Sequence, residues 1–315
     1  MGEQTPPKGL IIDLLTPVKS TGEIDGRSLG RYLDRLMPYT QAFSLGSPYL
    51  GGGRSLNPGQ QEELLEKTLV VVRGQVPLFI WFSREKEDQS RENLIRLKKR
   101  LSEKQYEGPI YWVDTPLLYH SNRGLPDLYR DYSSLVGEDF ILHNDPKLVK
   151  TVARPFKRDN IRTSILKELG QNERIRGLIF SGSLDRNHNY QRAVRSRKDF
   201  KIYDGDEARF LSFPSLGGVV SQGANLVPKS WSRITQSSLQ MNDESTNYSD
   251  SLSQLWVMGN NLKDLESIYN RHGVKIIQRA LVEMGILEDL KTGEDNSIPE
   301  DVMKDLMEII NRINA

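Results

Sequence analysis

The chain has 315 residues, of which 27% are charged, yet its formal net charge at pH 7 is only +1. This balance gives no electrostatic argument for nucleic acid or an anionic membrane surface as a partner, and the absence of cysteine excludes disulfides, thiolate nucleophiles and cysteine-based zinc sites. A chain of this length can bury roughly three quarters of the surface that its unfolded state exposes, so a core needs no metal to be stable.

Short apolar runs alternate with helical patterns along the first 235 residues. Eight runs have the length and composition of buried strands: 9–15, 42–45, 76–82, 109–113, 139–143, 176–180, 200–203 and 218–221. After the first run, Leu29, Leu33 and Leu36 recur at helical spacing. After the second, Asn57 can cap a helix whose first turn contains Pro58. Apolar rather than alternating runs are typical of strands covered on both faces.

Eight strand-like runs separated by helices predict parallel βαβ units, and therefore an α/β fold. We predict a closed (β/α)₈ barrel, the TIM barrel, with an open doubly wound sheet as the alternative. In the barrel, the loops at the carboxyl ends of the strands build the functional site.

The strand signals stop after about residue 235. Residues 240–247 are polar and predict a loop, and helical patterns follow near 249–270, 274–287 and 299–313. We therefore predict two domains, a barrel over residues 1–235 and a C-terminal helical subdomain over residues 236–315. The subdomain is expected to pack on the barrel or on a neighbouring subunit.

No signal peptide pattern and no run of about 18 apolar residues occurs in the sequence. We therefore expect a cytoplasmic protein that contacts neither membrane nor nucleic acid. The four histidines are scattered without metal-ligand spacing, so no metal and no cofactor is expected. Acids stand near the predicted strand ends, where they either bind a cation, act as a base or cap the next helix: Asp13, Asp114, Asp204, Asp206 and Glu207.

Seven short segments follow one another in a distinctive order. They are Thr16-Pro17 with Glu23-Ile24-Asp25, Leu45-Gly46-Ser47-Pro48, Asp114-Thr115-Pro116-Leu117-Leu118-Tyr119, His143-Asn144-Asp145-Pro146, Gly177-Leu178-Ile179-Phe180-Ser181-Gly182, Asp204-Gly205-Asp206-Glu207, and Gly217-Gly218-Val219-Val220-Ser221 with Ala224-Asn225. Over about residues 8–290, this order resembles the dihydrodipicolinate synthase and N-acetylneuraminate lyase family. The resemblance implies a TIM barrel, pyruvate-dependent lyase or synthase chemistry, and a homodimer or homotetramer.

The resemblance also implies a lysine on the sixth strand, which forms a Schiff base with pyruvate. That position is Ile179, and no lysine lies between Lys167 and Lys198. Isoleucine cannot form an imine, so we expect an inactive position filled by a barrel-core residue. Whether the chain is an enzyme is therefore left open.

Other family positions are altered as well. The tyrosine that relays protons to the lysine corresponds to His143, which either acts as acid or base or is a structural histidine. The paired threonines that hold the pyruvate carboxylate become Ser47 and Pro48, and proline lacks a backbone N–H. Lys147 or Lys150 could replace the family's arginine, or either could be a solvated loop lysine.

The remaining ligand contacts implied by the resemblance lie in the loops after the strands. They are Tyr119, Asn144, Ser181, Asp206 and Ser221. Tyr119 could instead be an aromatic at a subunit interface. The glycine-rich segment 51–54 is either an anion-binding nest or, as the simpler reading, a flexible surface loop.

Three functional hypotheses follow. The first is a dihydrodipicolinate synthase-like protein without Schiff-base aldolase activity, a pseudoenzyme that could still bind a small oxoacid or sugar acid. The second is a lyase or hydratase of imine-independent mechanism, with His143 as general base and Ser47, Asn144 and Ser181 as polar contacts. The third is a structural or regulatory partner of an active paralogue.

Overall fold

A computed structural model describes residues 5–152, 158–239, 248–288 and 298–314. Eight parallel strands close into a barrel in chain order. They are β1 Gly9–Asp13, β2 Ala42–Leu45, β3 Leu78–Trp81, β4 Ile110–Asp114, β5 Asp139–Asn144, β6 Ile175–Phe180, β7 Lys201–Asp204 and β8 Gly218–Ser221. Because β8 also pairs with β1, the closed barrel is confirmed and the open sheet is wrong.

Helices cover the outside of the barrel and continue beyond it. They are α1 Gly26–Leu36, α2 Pro58–Val72, α3 Glu87–Glu103, α4 Leu125–Leu135, α5 Pro146–Lys150, α6 Thr163–Leu169, α7 Leu184–Val194, α8 Glu207–Ser212, α9 Pro228–Ser238, α10 Tyr248–His272, α11 Val274–Glu283 and α12 Glu300–Asn314. Among the described residues, no helix is both long and apolar enough to cross a membrane.

Local side-chain chemistry fixes where two of the outer helices begin. The Asp25 carboxylate accepts hydrogen bonds from the first amides of α1. At α2, the Asn57 side chain accepts from the Gln60 amide at 2.9 Å, while the Gln60 side chain accepts from the Asn57 amide at 2.8 Å. This reciprocal pair is a capping box, so the predicted start of α2 at Asn57-Pro58 is confirmed.

Several strands extend over polar residues that the apolar pattern left out. Strands β4, β5 and β7 include Asp114, Asn144 and Asp204, respectively. These residues continue the parallel register, for example Asn144 beside Phe180 on β6. The ladder is formed by backbone groups, so a polar side chain does not end it.

The amino-terminal part of the barrel interior is filled by aromatic side chains. Phe79 meets Tyr111 and Tyr203 edge to face, with ring centroids 5.3 and 5.7 Å apart. The Tyr203 hydroxyl donates to the Pro7 carbonyl at 2.6 Å. Since side chains alternate along a strand, the residues two positions further on, Trp81 and Val113, face the interior at the carboxyl end.

The C-terminal helices pack on one another and on the barrel. Helix α10 contacts α8, α9, α11 and α12. Helix α11 ends earlier than its predicted end at residue 287, because Gly285 adopts a φ of 69° just beyond it. The predicted loop 240–247 lies outside the described residues. The division into residues 1–235 and 236–315 stays a prediction, and α9 spans its boundary.

Candidate functional site

A small cavity lies at the carboxyl ends of the strands, with a volume of about 60 Å³. We call it the central cavity. Its lining residues are Asp13, Ser44, Trp81, Val113, His143, Ile179 and Val220 from the strands, and Ser47, Pro48, Tyr49, Ser181, Gly205 and Gln222 from the loops. A cavity volume of about 10–15 Å³ is enough to hold one water molecule. The central cavity therefore suits a molecule of a few heavy atoms.

The side chain of Ile179 forms part of the apolar wall of this cavity. Ile179 is 3% exposed and stands beside His143 in the β5–β6 register. Among the described residues, none that lines the central cavity is a lysine or an arginine. The position that the resemblance assigns to an amine is therefore occupied by a branched alkyl group within the cavity itself.

His143 is held by a short chain of hydrogen bonds. Trp81 Nε1 donates to Thr115 Oγ1 at 2.9 Å, and Thr115 Oγ1 lies 2.8 Å from His143 Nδ1. An indole is only a donor, so the chain is satisfied when the Thr115 hydroxyl donates to Nδ1 and the ring carries its proton on Nε2. Burial lowers the pKa of His143, which favours this neutral ring.

Asp13 places a carboxyl group at the end of β1. The residue is 4% exposed, and burial raises its pKa to about 7, against the effect of hydrogen bonds with Ser47 and Ser44. Its Oδ1 is buried and has no hydrogen-bond partner among the described residues. An unpaired buried oxygen costs about 1–3 kcal/mol, so Asp13 is a group with unused capacity to accept a hydrogen bond.

The glycine-rich loop after β2 is compact. The Gly51 amide donates to Ser47 Oγ at 2.9 Å, and the Gly53 amide donates to the Ser47 carbonyl at 2.7 Å. A Cβ atom on Gly53 would stand 1.9 Å from the Gly46 carbonyl oxygen. The amides of Gly51, Gly52 and Gly53 are already used within the loop, so the anion-binding nest is wrong, whereas the flexible surface loop stays a prediction.

Tyr49 links this loop to the start of α5. Its hydroxyl donates to Asp145 Oδ2 at 2.6 Å, and Asp145 Oδ1 accepts from the amides of Lys147 and Leu148 at 2.8 and 3.1 Å. Burial and the Asp145 carboxylate both raise the pKa of Tyr49, so the phenol remains a donor engaged with Asp145.

A larger cavity of about 260 Å³ shares Tyr49, Ser181, Gly205 and Gln222 with the central one. We call it the outer cavity. Its other lining residues are Asp145, Lys147, Asp206, Glu207, Glu266, Tyr269, Asn270, Gly273 and Val274. Four carboxyl groups and one ammonium group therefore surround it.

Glu207 connects the outer cavity to β8 and α10. Its Oε1 accepts from Ser221 Oγ at 2.5 Å and from the Gly223 amide at 3.0 Å. Its Oε2 accepts from the Tyr269 hydroxyl at 2.8 Å. Burial raises the pKa of Glu207 to about 7. Unlike Asp13, this carboxyl group has partners on both oxygens.

The residues named from the sequence are only partly brought together. Ser47, Pro48, His143, Ile179 and Ser181 line the central cavity, and Asp206 and Lys147 line the outer one. Lys150 instead pairs with Asp159 at 3.3 Å.

Tyr119, Asn144 and Ser221 line neither cavity. The Tyr119 hydroxyl donates to Asp114 Oδ2 at 2.7 Å, and Asn144 Nδ2 donates to Asn160 Oδ1 at 3.1 Å. Ser221 is the donor to Glu207 described above. A ligand-binding role for any residue of the predicted set stays a prediction.

Sequence reasoning missed Tyr49, Trp81 and Gln222 as lining residues. Trp81 lies within the apolar run 76–82, and only the barrel register shows that it faces the cavity. Asp13 had been named among the strand-end acids, but nothing in the sequence distinguished it from the others. Within the described residues, no group of three or more potential ligands could hold a metal ion.

Comparisons with known proteins place the chain among related barrels. The family model of the dihydrodipicolinate synthetase family matches residues 6–275. A 4-hydroxy-tetrahydrodipicolinate synthase of Teredinibacter turnerae is 25% identical over 248 residues, which are 75% of this chain and 77% of the relative. One of Buchnera aphidicola is 27% identical over 251 residues, 76% of this chain and 77% of the relative.

Solved structures agree on the fold. The dihydrodipicolinate synthase of Thermotoga maritima superimposes with a TM-score of 0.78 at 17% identity, covering 98% of this chain and 99% of that one. The chloride-inhibited synthase of Acinetobacter baumannii, complexed with pyruvate, superimposes with a TM-score of 0.76 at 18% identity over the same shares. At these identities the likeness extends to the fold alone.

Proposed function

Because the chain belongs to the dihydrodipicolinate synthetase family, we propose that it is a member of this pyruvate-dependent aldolase family that lacks the Schiff-base reaction. The observation that carries the proposal is the side chain of Ile179 in the wall of the central cavity. The barrel and the cavity are retained, while the amine is absent from the described residues that line it.

The chemistry of the imine requires a primary amine within reach of the substrate. The amine nitrogen attacks the ketone carbon, water leaves, and the iminium accepts electrons from the adjacent carbon. A buried amine of lowered pKa does this well because it is uncharged at neutral pH. Lys147 is a lysine that lines the outer cavity, but it is exposed to solvent, so its ammonium is not desolvated in this way.

Borohydride trapping tests the proposal. The protein is incubated with pyruvate and borohydride, and its intact mass is measured. We expect the mass to be unchanged, while a dihydrodipicolinate synthase treated in parallel gains one reduced pyruvyl group. The intact mass reports on every lysine of the chain, including those outside the described residues. A stoichiometric adduct on any barrel lysine would contradict the proposal.

A second candidate is an imine-independent lyase or hydratase. It is favoured by the presence of Asp13 and His143 in one cavity, both with a pKa shifted towards the neutral form by burial. In the tautomer favoured by Thr115, the neutral His143 ring would donate a hydrogen bond from Nε2, and Asp13 would act as the base when it is ionised, which reverses the role first considered for His143. Turnover assays of His143→Ala and Asp13→Asn, on a compound that stabilises the wild type against heat, test it.

The retained cavity is proposed to hold a small molecule. The family resemblance suggests an oxoacid or a sugar acid, and melting shifts with pyruvate test that expectation directly. The alternative of a regulatory partner for an active paralogue predicts co-purification with such a paralogue from the native host. Assembly as a homodimer or homotetramer remains part of the same proposal, and sedimentation of the full chain tests it.

A further inference from the structure

We propose that the two cavities take a small organic cation, an ammonium compound that also carries a hydrogen-bond acceptor, rather than an oxoacid anion. This inference rests on the proposed function, in that it assumes a small-molecule cavity without an imine-forming lysine. It adds the charge of the ligand, which the family resemblance does not supply. Three independent features of the lining residues support it.

The first feature is Asp13. Its buried Oδ1 has no hydrogen-bond partner among the described residues, and the residue lines the central cavity. An ammonium group donates up to three hydrogen bonds and carries the opposite charge. In the cavity it would lie beside the Asp13 carboxyl group and favour its ionised form. A ligand carboxylate at the same place would face a like charge or require Asp13 to stay protonated.

The second feature is the lack of a basic side chain that could pair with an anion. No lysine or arginine lines the central cavity among the described residues. The Ser44 and Ser47 hydroxyls lower the pKa of Asp13, and the Tyr49 hydroxyl donates to Asp145. Pro48 has no amide proton to offer. These three hydroxyls thus lie beside carboxyl groups of the protein, and the lining keeps only uncharged donors, such as the Ser181 hydroxyl and the Gln222 amide.

The third feature is the charge of the outer cavity. Asp145, Asp206 and Glu266 line it together with Lys147 as the one basic side chain of its described lining. Glu207 is not counted, because burial raises its pKa to about 7. An excess of one sign of charge in a cleft raises the local concentration of the opposite ion. A cation would therefore be attracted at the outer cavity before it reaches Asp13.

His143 would bind the end of the ligand that carries the hydrogen-bond acceptor. Its Nδ1 is occupied by Thr115, which leaves Nε2–H as the ring donor for a ligand carbonyl or hydroxyl oxygen. The indole of Trp81 also lines the cavity, and an aromatic face attracts an ammonium group. Within the described residues, no cluster of His, Asp or Glu fits a metal ion, so an organic cation fits better than a divalent metal.

Three probes of nearly equal size test the charge preference in the wild-type full chain. They are aminoacetone, hydroxyacetone and pyruvate, which share a ketone and differ in a cationic, neutral or anionic end. Binding is measured by calorimetry and by thermal shift at pH 7.5. We expect aminoacetone to bind about tenfold or more tightly than pyruvate, with hydroxyacetone between them, because like charges in a buried site are strongly disfavoured.

Two variants locate the effect. Asp13→Asn should weaken aminoacetone binding about tenfold and remove the preference over pyruvate. Asp34→Asn is the control, because it makes the same change on the exposed face of α1, and it should bind like the wild type. The wild-type comparison stands by itself if Asp13→Asn does not fold.

Two results would overturn this inference. One is pyruvate binding as tightly as aminoacetone, and the other is no binding of any of the three probes at millimolar concentration. A borohydride adduct with pyruvate would instead overturn the proposed function. Because trapping detects a covalent bond and calorimetry detects the charge preference, the two failures are distinguishable.

Discussion

Asp13 places a carboxyl group where the fold buries it and disfavours its ionised form. The parallel pairing of β1 with β2 places it beside Ser44, in an environment that penalises its ionised form. A carboxyl group with a pKa near 7 and an oxygen without a partner lowers the stability of the empty protein. Such groups occur more often at functional sites than elsewhere.

The pH dependence of stability should reveal this cost. Burial raises the pKa of Asp13 in the folded protein to about 7, from the ordinary value of 3.8 that applies to the unfolded chain. The folded state therefore binds more protons than the unfolded state between these two pH values. The contribution of Asp13 to stability is therefore fully present below pH 4 and is lost as the pH rises to 7. Three pKa units correspond to at most about 4 kcal/mol.

Asp13→Asn removes this titration. We expect the variant to gain stability relative to the wild type between pH 5 and pH 8, by a few kcal/mol at most (about 1.4 kcal/mol per pKa unit), as measured by urea unfolding at each pH. The exposed Asp34→Asn control should show a difference that does not change with pH. A pH-independent difference for Asp13→Asn would show that burial does not penalise its charge.

At the scale of elements, the ends of β6 and β7 are joined by one arginine of α8. Arg209 Nε donates to Asp204 Oδ1 at 2.6 Å, and Nη2 donates to the Phe180 carbonyl at 2.6 Å. Asp204 is fully buried, and burial raises its pKa against the effect of Arg209. This contact fixes the segment that carries Ile179, Ser181 and Gly205, all of which line the central cavity.

Arg209→Met should therefore be strongly destabilising. The change leaves the Asp204 carboxylate buried without its cation, and losing one partner of a buried pair costs about 3–5 kcal/mol. Urea unfolding of the two proteins measures it. Arg31→Met is the matched control, because Arg31 pairs with Glu288 where both side chains are more than half exposed. That pair is worth about 1 kcal/mol or less, and equal losses in both variants would contradict the account.

The elements were largely predictable from the sequence, while their contacts were not. The pattern of apolar residues indicated the eight strands, and the capping residues indicated the start of α2. Both signals are local properties of the chain. The hydrogen bond between Thr115 and His143 joins the residue after β4 to β5, and that between Tyr49 and Asp145 joins loops 96 residues apart. Such contacts depend on barrel register and loop conformation, which a single sequence does not encode in any short segment.

At the scale of the whole molecule, the C-terminal helices close one side of the outer cavity. Tyr269 of α10 donates to Glu207 at the start of α8, and a Cβ atom on Gly223 would stand 2.5 Å from the Tyr269 hydroxyl oxygen. The hydroxyl therefore sits in a closely fitted contact between the barrel loops and α10. The predicted helical subdomain thereby contributes residues to the candidate site.

Tyr269→Phe tests this contact. It removes a donor from the buried Glu207 carboxyl group, so we expect a loss of about 1–3 kcal/mol in urea unfolding. The loss should be larger at pH 8 than at pH 5, because the ionised form depends more on its donors. Tyr39→Phe is the control, because Tyr39 is only partly buried and lines neither cavity. A loss no greater than that of the control would contradict the role of Tyr269.

The central claim is that this family member has no amine with which to bind pyruvate covalently. The most direct measurement is the intact mass of the full-length protein after borohydride reduction in the presence of excess pyruvate. The account predicts the unmodified mass, with a dihydrodipicolinate synthase fully labelled under the same conditions. A single reduced pyruvyl group on the protein, mapped to a lysine in the barrel, would contradict it.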